Sequence, residues 1–480
     1  MKKAKIAVVT LGHYIYFDQF DGLKAELSQK TAQFINYLDT DKCDVFDAGY
    51  VDCADEAFAA VKKLKQEDAD LLFVLLSTYV PSAVCAPFAR YLNIPHVLVG
   101  IQPLNHLDYS HTTTYMQLAN DDVCAMPEIA GVYERMGRDI PPCIVAASSQ
   151  TDTIRKELDS WTDAASAMSG FKYETFGYLG HTYEGMYDMH TDPTAFFAAF
   201  GSHVKMIEIC ELSRLTEEIT DTEIAEEISA ITDIFRICDP SVDPLTDYVK
   251  REDLEYSAKI SAALKKLVKN NNLAALAYYY KSEPNNPYEQ LAANLIIGNT
   301  LLTSSGTPLA GEADLKTAAA MLIMKNIGGG GSFAEIHPFD VTDDVVLIGH
   351  DGPHNIAIAE GKPRLRKLKK YHGKSGSGIG VEFSLKAGPV TLLSINVDRN
   401  GKFRMIAAEG VSIAGEIPQT GNTNTRVSFG CPVCEFLSRW CEAGPTHHLA
   451  LGIGHHMETL RKFSKMIGIE LIEVKGEGNV

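Results

Sequence analysis

Short apolar runs alternating with amphipathic stretches organise the first 150 residues of the chain. "KIAVVTL", "CDVFDAG", "DLLFVLLS", "PHVLVGI" and "CIVAASS" have the length and composition of buried strands. "GLKAELSQKTAQFINYL" and "DEAFAAVKKLKQ" between them repeat their apolar positions at helical spacing. Strands alternating with helices predict a parallel sheet covered on both faces. Ligands of such sheets bind beyond the carboxyl ends of the strands, which draws attention to "TLGHYIY" and "GIQPLNHLDYSH". A second α/β segment follows over roughly 170–325. Its predicted strands are "FKYETFGYLG", "VKMIEICEL" and "LAALAYYY", and its predicted helices are "SRLTEEITDTEIAEEISAITDIF" and "EYSAKISAALKKLVKN". After Gly328–Gly331 the pattern changes to strands separated by Gly, Asn and Pro turns, closed by one helix (456–467) and a last strand, "GIELIEV". The expected fold class is therefore α/β. Two Rossmann-like or flavodoxin-like domains, 1–170 and 171–327, precede a C-terminal antiparallel β-barrel-like domain, 328–480.

A chain of 480 residues is too long for one ordinary core, in keeping with two or three domains. The net charge of -18 argues against nucleic acid and anionic membranes as partners, since both call for a basic surface. "MKKAKIAVVTLG" resembles a signal peptide only superficially; its apolar run is short, lacks a cleavage site and reads better as a first strand. No apolar stretch approaches the roughly 20 residues of a membrane span. Ten scattered cysteines without a secretion signal predict reduced thiols and a cytoplasmic location. Cys431 and Cys434 form a lone CxxC, followed by Cys441. No second CxxC completes a zinc site and nothing nearby suggests a redox strand-to-helix turn, so these thiols read as small buried hydrophobes.

The basic cluster "RLRKLKKYHGKSGSG" contains Gly373-Lys374-Ser375, but a phosphate loop needs glycine at position 368, which is Leu368. Richer chemistry lies in "GTPLAGEADLKTAAAMLIMKNIGGGGSFAEIHPFD", residues 306–340. Glu312 opens a helix there, four glycines end it, and Glu335 arrives in the next segment. "VLIGHDGPHN" then delivers His350, Asp351 and His354 at the end of an apolar run. With His447 and His448 of "AGPTHHLALGIGHH", the chain offers two carboxylates and several imidazoles, a donor set suited to a six-coordinate divalent ion such as Mn²⁺. His455 and His456 precede the last helix and read as capping or surface residues.

Over Gly311-Glu312 with "DLKTAA", "GGSFAE" ending at Glu335, the His350 loop, and His447-His448 with "IELIEV", the chain resembles the L-arabinose isomerases, within the wider group that includes the L-fucose isomerases. The resemblance implies that Glu312, Glu335, His350 and His448 hold Mn²⁺, with His354 the alternative to His350. It also implies that Glu312 and Glu335 move protons between two sugar carbons and that His447 touches the sugar. Cys124 stands where the family has a sugar-contacting histidine supplied across a subunit interface, and His13 where it has glutamine. His181, Met186 and Tyr280 stand where it lines the pocket. The implied activity is aldose–ketose isomerisation through a cis-enediol, on L-arabinose or a related pentose or hexose, by a homotrimer or homohexamer. A non-catalytic sugar-binding or regulatory protein of the same fold is the alternative, and a zinc hydrolase using the C-terminal histidines a weaker third.

Overall fold

A computed structural model describes residues 3–238, 241, 246–369, 378–418 and 422–475. The segment containing Gly373, Lys374 and Ser375 lies outside the described residues. Contact density separates two compact units, Met1–Ser169 and Gly170–Val480.

The first unit is built on five parallel strands: β1 (Ala4–Leu11), β2 (Cys43–Val51), β3 (Leu71–Leu76), β4 (His96–Gln102) and β5 (Cys143–Ala147), in the order β2-β1-β3-β4-β5. Every residue of β3, "LLFVLL", is buried, the signature of a central strand covered on both faces. The helix Ala54–Glu67 buries Ala57, Ala60, Val61 and Leu64, one stripe at helical spacing. Burying a side chain such as Leu64 contributes about 1.5–3 kcal/mol, so this stripe fixes the helix on the sheet. The predicted strands and helices are all present, and His13 directly follows the first strand.

The second unit starts with another parallel sheet, of β6 (Thr175–Leu179), β7 (His203–Ile207), β10 (Leu273–Tyr278) and β11 (Leu309–Ala310), ordered β11-β10-β6-β7. Two boundaries differ from the sequence expectation. The strand in "VKMIEICEL" stops at Ile207, and a helix runs from Ile209 to Glu217. The long acidic helix is two, because Thr220 and Glu223 form a capping box that starts a new helix, Asp221–Ile234.

The remaining strands belong to two sheets. A small one joins β8 (Arg236–Ile237), β14 (Arg364–Leu368) and β15 (Gly378–Glu382), with β9 (Thr246–Asp247) also on β14. The larger contains β12 (Ser332–Asp340), β13 (Val345–His350), β16 (Gly388–Val397), β17 (Phe403–Ile413), β18 (Thr423–Ser428) and β19 (His448–Ile453). Their antiparallel pairings run β16-β19-β12-β13-β18-β17 and return to β16. The strand β20 (Glu470–Glu473) joins β17 in parallel, so this sheet is mixed rather than wholly antiparallel.

Two helices accompany this sheet where one was expected. Met457–Ile467 is the predicted one; Val433–Glu442 is additional and buries Val433, Phe436 and Trp440. It places Cys431 and Cys434 at a strand-to-helix turn after all, with Cys431 buried and Cys434 exposed. Among the described residues no helix is long and apolar enough to cross a membrane. The helix Leu315–Asn326 is buried nearly all round, packed between the parallel sheet and strands β16 and β19. Its amino end is where the chemistry gathers.

Candidate metal and catalytic site

Four elements of the second unit deliver the polar side chains. After β11 the chain turns through Gly311, and Glu312 and Ala313 both adopt left-handed backbone, each with φ 56°. Such a conformation costs a non-glycine residue about 1–3 kcal/mol and persists only where the surroundings impose it. Glu312 therefore does not open the helix, as the sequence suggested; Asp314 does. The Asp314 carboxylate accepts from the backbone N–H groups of Lys316 and Thr317, both at 3.1 Å. Strand β12 sets Glu335 between its two neighbours, opposite Gly349 of β13 and opposite His448 of β19. His350 ends β13. Gly349 beside it has no room for a side chain: a Cβ there would lie 1.6 Å from the Thr423 carbonyl oxygen.

The side chains converge. Nε2 of His448 lies 2.7 Å from Oε2 of Glu312, and Nε2 of His350 lies 3.9 Å from both Glu312 Oε2 and Glu335 Oε1. Phe333 packs against both imidazoles, its ring centroid 4.7 Å from His350 and 4.4 Å from His448. His448 is fully buried, and its Nδ1 faces Asp314 Oδ2 at 3.1 Å, which fixes the ring and leaves Nε2 pointing into the cluster. His337 bridges Glu335 Oε1 at 3.2 Å and Asn424 Oδ1 at 2.5 Å. His447 is held by Asp188, whose Oδ2 accepts from its backbone N–H at 3.0 Å and lies 2.7 Å from its Nδ1.

Charge and hydrogen bonding indicate what is wanted at the centre. Burial works against a charged His448, yet the Glu312 and Asp314 carboxylates outweigh it and hold the imidazole's pKa up at about 10. Burial would lift the Glu335 carboxyl, but the hydrogen bond from His337 and the charge of His350 and His448 bring it down to about 2. Glu312 is likewise lowered against its burial by His448 and His350. The cluster thus favours positive charge among its carboxylates. Glu312 Oε2 and His448 Nε2, although 2.7 Å apart, do not align as donor and acceptor, and both are buried without a hydrogen-bond partner. Buried polar atoms of that kind are costly unless something else satisfies them. Ligand atoms of Glu335, His350 and His448 lie within 4.8 Å of one another, as do those of Glu312, His447 and His448. His448 is common to the two groups, and each combines a carboxylate with two imidazoles, a donor set that fits a divalent cation.

The other expected site residues fall in several places. Tyr280 lines a small cleft with Glu312, His350 and Asp351. His181 instead packs on Tyr279, ring centroids 4.1 Å apart, and borders a different cleft with Glu208 and Lys281. Met186 precedes the short turn Tyr187–Met189 that carries Asp188. His13 and Cys124 belong to the first unit, where His13 is surrounded by the rings of Tyr14, Tyr16 and Tyr79, and Cys124 is exposed. His354 is fully buried against Phe383 and joins neither ligand group. His455 and His456 bond the Gly410 and Ile453 carbonyls through their ring nitrogens, and His456 stands at the N-cap of its helix with no side-chain hydrogen bond to the helix backbone. Asp314, Asp188 and His337 were not anticipated. Asp314 carries a helix-cap signal and His337 shares a strand face with Glu335, whereas nothing in the sequence singles out Asp188.

Comparison with known proteins bears directly on this geometry. Residues 190–330 match the L-arabinose isomerase central domain, and 330–470 match the L-arabinose isomerase C-terminal domain. The first match contains Glu312 and the second Glu335, His350 and His448. Among similar proteins, the L-arabinose isomerase of Shewanella baltica is 25% identical over 70% of this chain and 67% of its own. That of Cellvibrio japonicus is 23% identical over 85% and 81%, and that of Saccharophagus degradans 22% identical over 99% and 95%. Fold, site and relatives define an enzyme of the aldose–ketose isomerase class. Within that class, the chain belongs to the L-arabinose isomerase family.

Proposed function

We propose that the chain is a Mn²⁺-dependent isomerase that converts L-arabinose, or a related pentose or hexose, to its ketose through a cis-enediol. The observation that carries this reading is the approach of Glu335, His350 and His448, and of Glu312 to the same His448, with Glu312 Oε2 and His448 Nε2 buried without a hydrogen-bond partner. These four residues would hold the ion, which supplies Lewis acidity for the negative charge that develops on sugar oxygens. Glu312 and Glu335 transfer the proton between C1 and C2. Their environments suit a division of labour: Glu312 is enclosed beside His448, while Glu335 is more open and accepts from His337. Asp188 orients His447, leaving its Nε2 free for a sugar hydroxyl. Tyr280, Met186, His13 and Cys124 would set the choice of sugar, whereas His181 borders a different cleft.

Further readings rest on the same resemblance. A cytoplasmic homotrimer or homohexamer would let His13 and Cys124 of one subunit serve the quartet of another. The two parallel sheets would be Rossmann-like or flavodoxin-like domains, and the ring of antiparallel pairings a barrel-like third domain beginning near 328. Incubating the Mn²⁺-loaded protein with a panel of aldoses tests the function. Ketose should form from at least one, and Glu335→Gln should cut turnover by about 10³-fold without altering the circular dichroism. Calorimetric sugar binding with no ketose from any aldose would replace this reading by the non-catalytic one.

A further inference from the structure

Lys316 is a charged side chain to which the chemistry above gives no task. It is 0% exposed and second in the helix Leu315–Asn326, where the helix dipole disfavours a cation. A lysine is almost never buried this completely unless it is paired. The Asp314 and Asp188 charges offset part of the cost, yet Nζ donates to two neutral oxygens, the Asp188 carbonyl at 2.8 Å and Thr191 Oγ1 at 3.2 Å. Thr191 Oγ1 is free to accept, because its own proton goes to the Met189 carbonyl at 3.0 Å. An apolar side chain would avoid the burial penalty, so what the ammonium adds is its hold on these two oxygens.

Both oxygens belong to the segment that carries Asp188. Its own backbone bonds run from Met186 N–H to the Tyr183 carbonyl, from Met189 N–H to Met186 and from His190 N–H to Tyr187. They measure 3.3, 3.3 and 3.4 Å, longer than the roughly 2.7–3.2 Å of ordinary N–H···O bonds. The turn Tyr187–Met189 thus holds itself weakly and is tied from outside. The Tyr183 N–H donates to the Glu312 carbonyl at 3.2 Å, and Lys316 takes the Asp188 carbonyl. From that anchored residue the Asp188 carboxylate reaches His447, where Oδ2 meets both the backbone N–H and Nδ1. The His447 ring lies on His448, centroids 3.9 Å apart, so a shift of Asp188 would turn an imidazole that touches the metal cluster.

We infer that Lys316 is a positioning residue: by clamping the Asp188 carbonyl and the Thr191 hydroxyl it fixes the Asp188 carboxylate, which sets the Nδ1–H tautomer and the orientation of His447 for the sugar. The step from His447 to the sugar rests on the function proposed above; the step from Lys316 to His447 does not. The test compares the full chain with Lys316→Met. In metal-free protein, long-range ¹H–¹⁵N NMR of labelled histidine, with His447 assigned through His447→Gln, should show one fixed Nδ1–H tautomer in the parent. The Nδ1 and Nε2 signals should average in Lys316→Met. With Mn²⁺ bound, Lys316→Met should raise KM for the converted sugar about 10-fold and change kcat less than about 3-fold. In a His447→Gln background it should raise KM less than about 2-fold further, and Mn²⁺ affinity, by chelator competition, should stay within about 3-fold. Where Lys316→Met does not fold, Thr191→Val is read by the same spectrum and the same KM, with a rise of about 3-fold expected. The inference is overturned if the His447 signals are unchanged, if the KM effects at Lys316 and His447 add in full, or if the loss lies in Mn²⁺ affinity. If the parent converts no sugar, the proposed function falls and the ring spectrum alone decides this inference.

Discussion

Each unit buries a cluster of charged side chains, and the two clusters are solved differently. In the first, Lys30 spends all three donors on two carbonyls and Asp122, leaving a single carboxylate oxygen open. In the second, Glu312, His448 and their neighbours bring ligand atoms together that fail to satisfy one another. A cluster that closes its own hydrogen bonds holds structure; one that leaves ligand atoms unsatisfied beside one another is suited to take up a cation. The strained backbone at Glu312 and Ala313 belongs only to the second kind.

Removing one member should expose this difference. His448→Leu should lower turnover by about a thousandfold, or about 4 kcal/mol of transition-state stabilisation, while leaving the second unit folded, as steady-state kinetics and circular dichroism would show. Lys30→Met should do the opposite: destabilise by about 3–5 kcal/mol because Asp122 is left buried without its ion-pair partner, with turnover per folded molecule unchanged. Adding Asp122→Leu to Lys30→Met should return most of that loss in urea unfolding. Asp314→Asn, which touches His448 from behind, should weaken metal affinity by about 10–100-fold with a smaller effect on folding, measurable by competition with a chelator.

The smallest effect is a pH dependence that has nothing to do with the quartet. His96 is buried beside Tyr133, and burial pushes its pKa down to about 3, below the ordinary value of about 6.5. The unfolded chain therefore takes up the proton first. Stability is intact above pH 6.5 and falls as pH drops from there toward 3, by about 2 kcal/mol at pH 5. Hydrogen exchange of the β4 peptide, corrected for intrinsic rates, should show that loss. His96→Gln should remove most of it.

The sheets were readable because their signals are local. A six-residue apolar run such as "LLFVLL" is short enough to read as a buried strand, and the stripe at Ala57, Ala60, Val61 and Leu64 reads as a helix face. The return of β17 to β16 and the parallel addition of β20 are long-range pairings that no local pattern encodes. Glu312, Glu335, His350 and His448 stand out by residue type and resemblance, but their arrangement does not. Glu312 and Asp314 both look like helix-start carboxylates, and only backbone geometry shows that Asp314 caps while Glu312 turns inward. Asp188 reaches His447 across 259 residues and carries no signal. The helix after Cys431 rests on only three buried positions, Val433, Phe436 and Trp440, and its own cysteines, Cys434 and Cys441, lie exposed off that stripe.

The central claim is that the quartet is completed by one divalent ion on which ketose formation depends. Stripping the protein with EDTA and titrating Mn²⁺ back, while following both bound metal and ketose, tests it most directly. Ketose formation should vanish in the stripped protein and return in proportion to occupancy, reaching its plateau at one ion per chain. Full turnover in protein verified to be metal-free would contradict it.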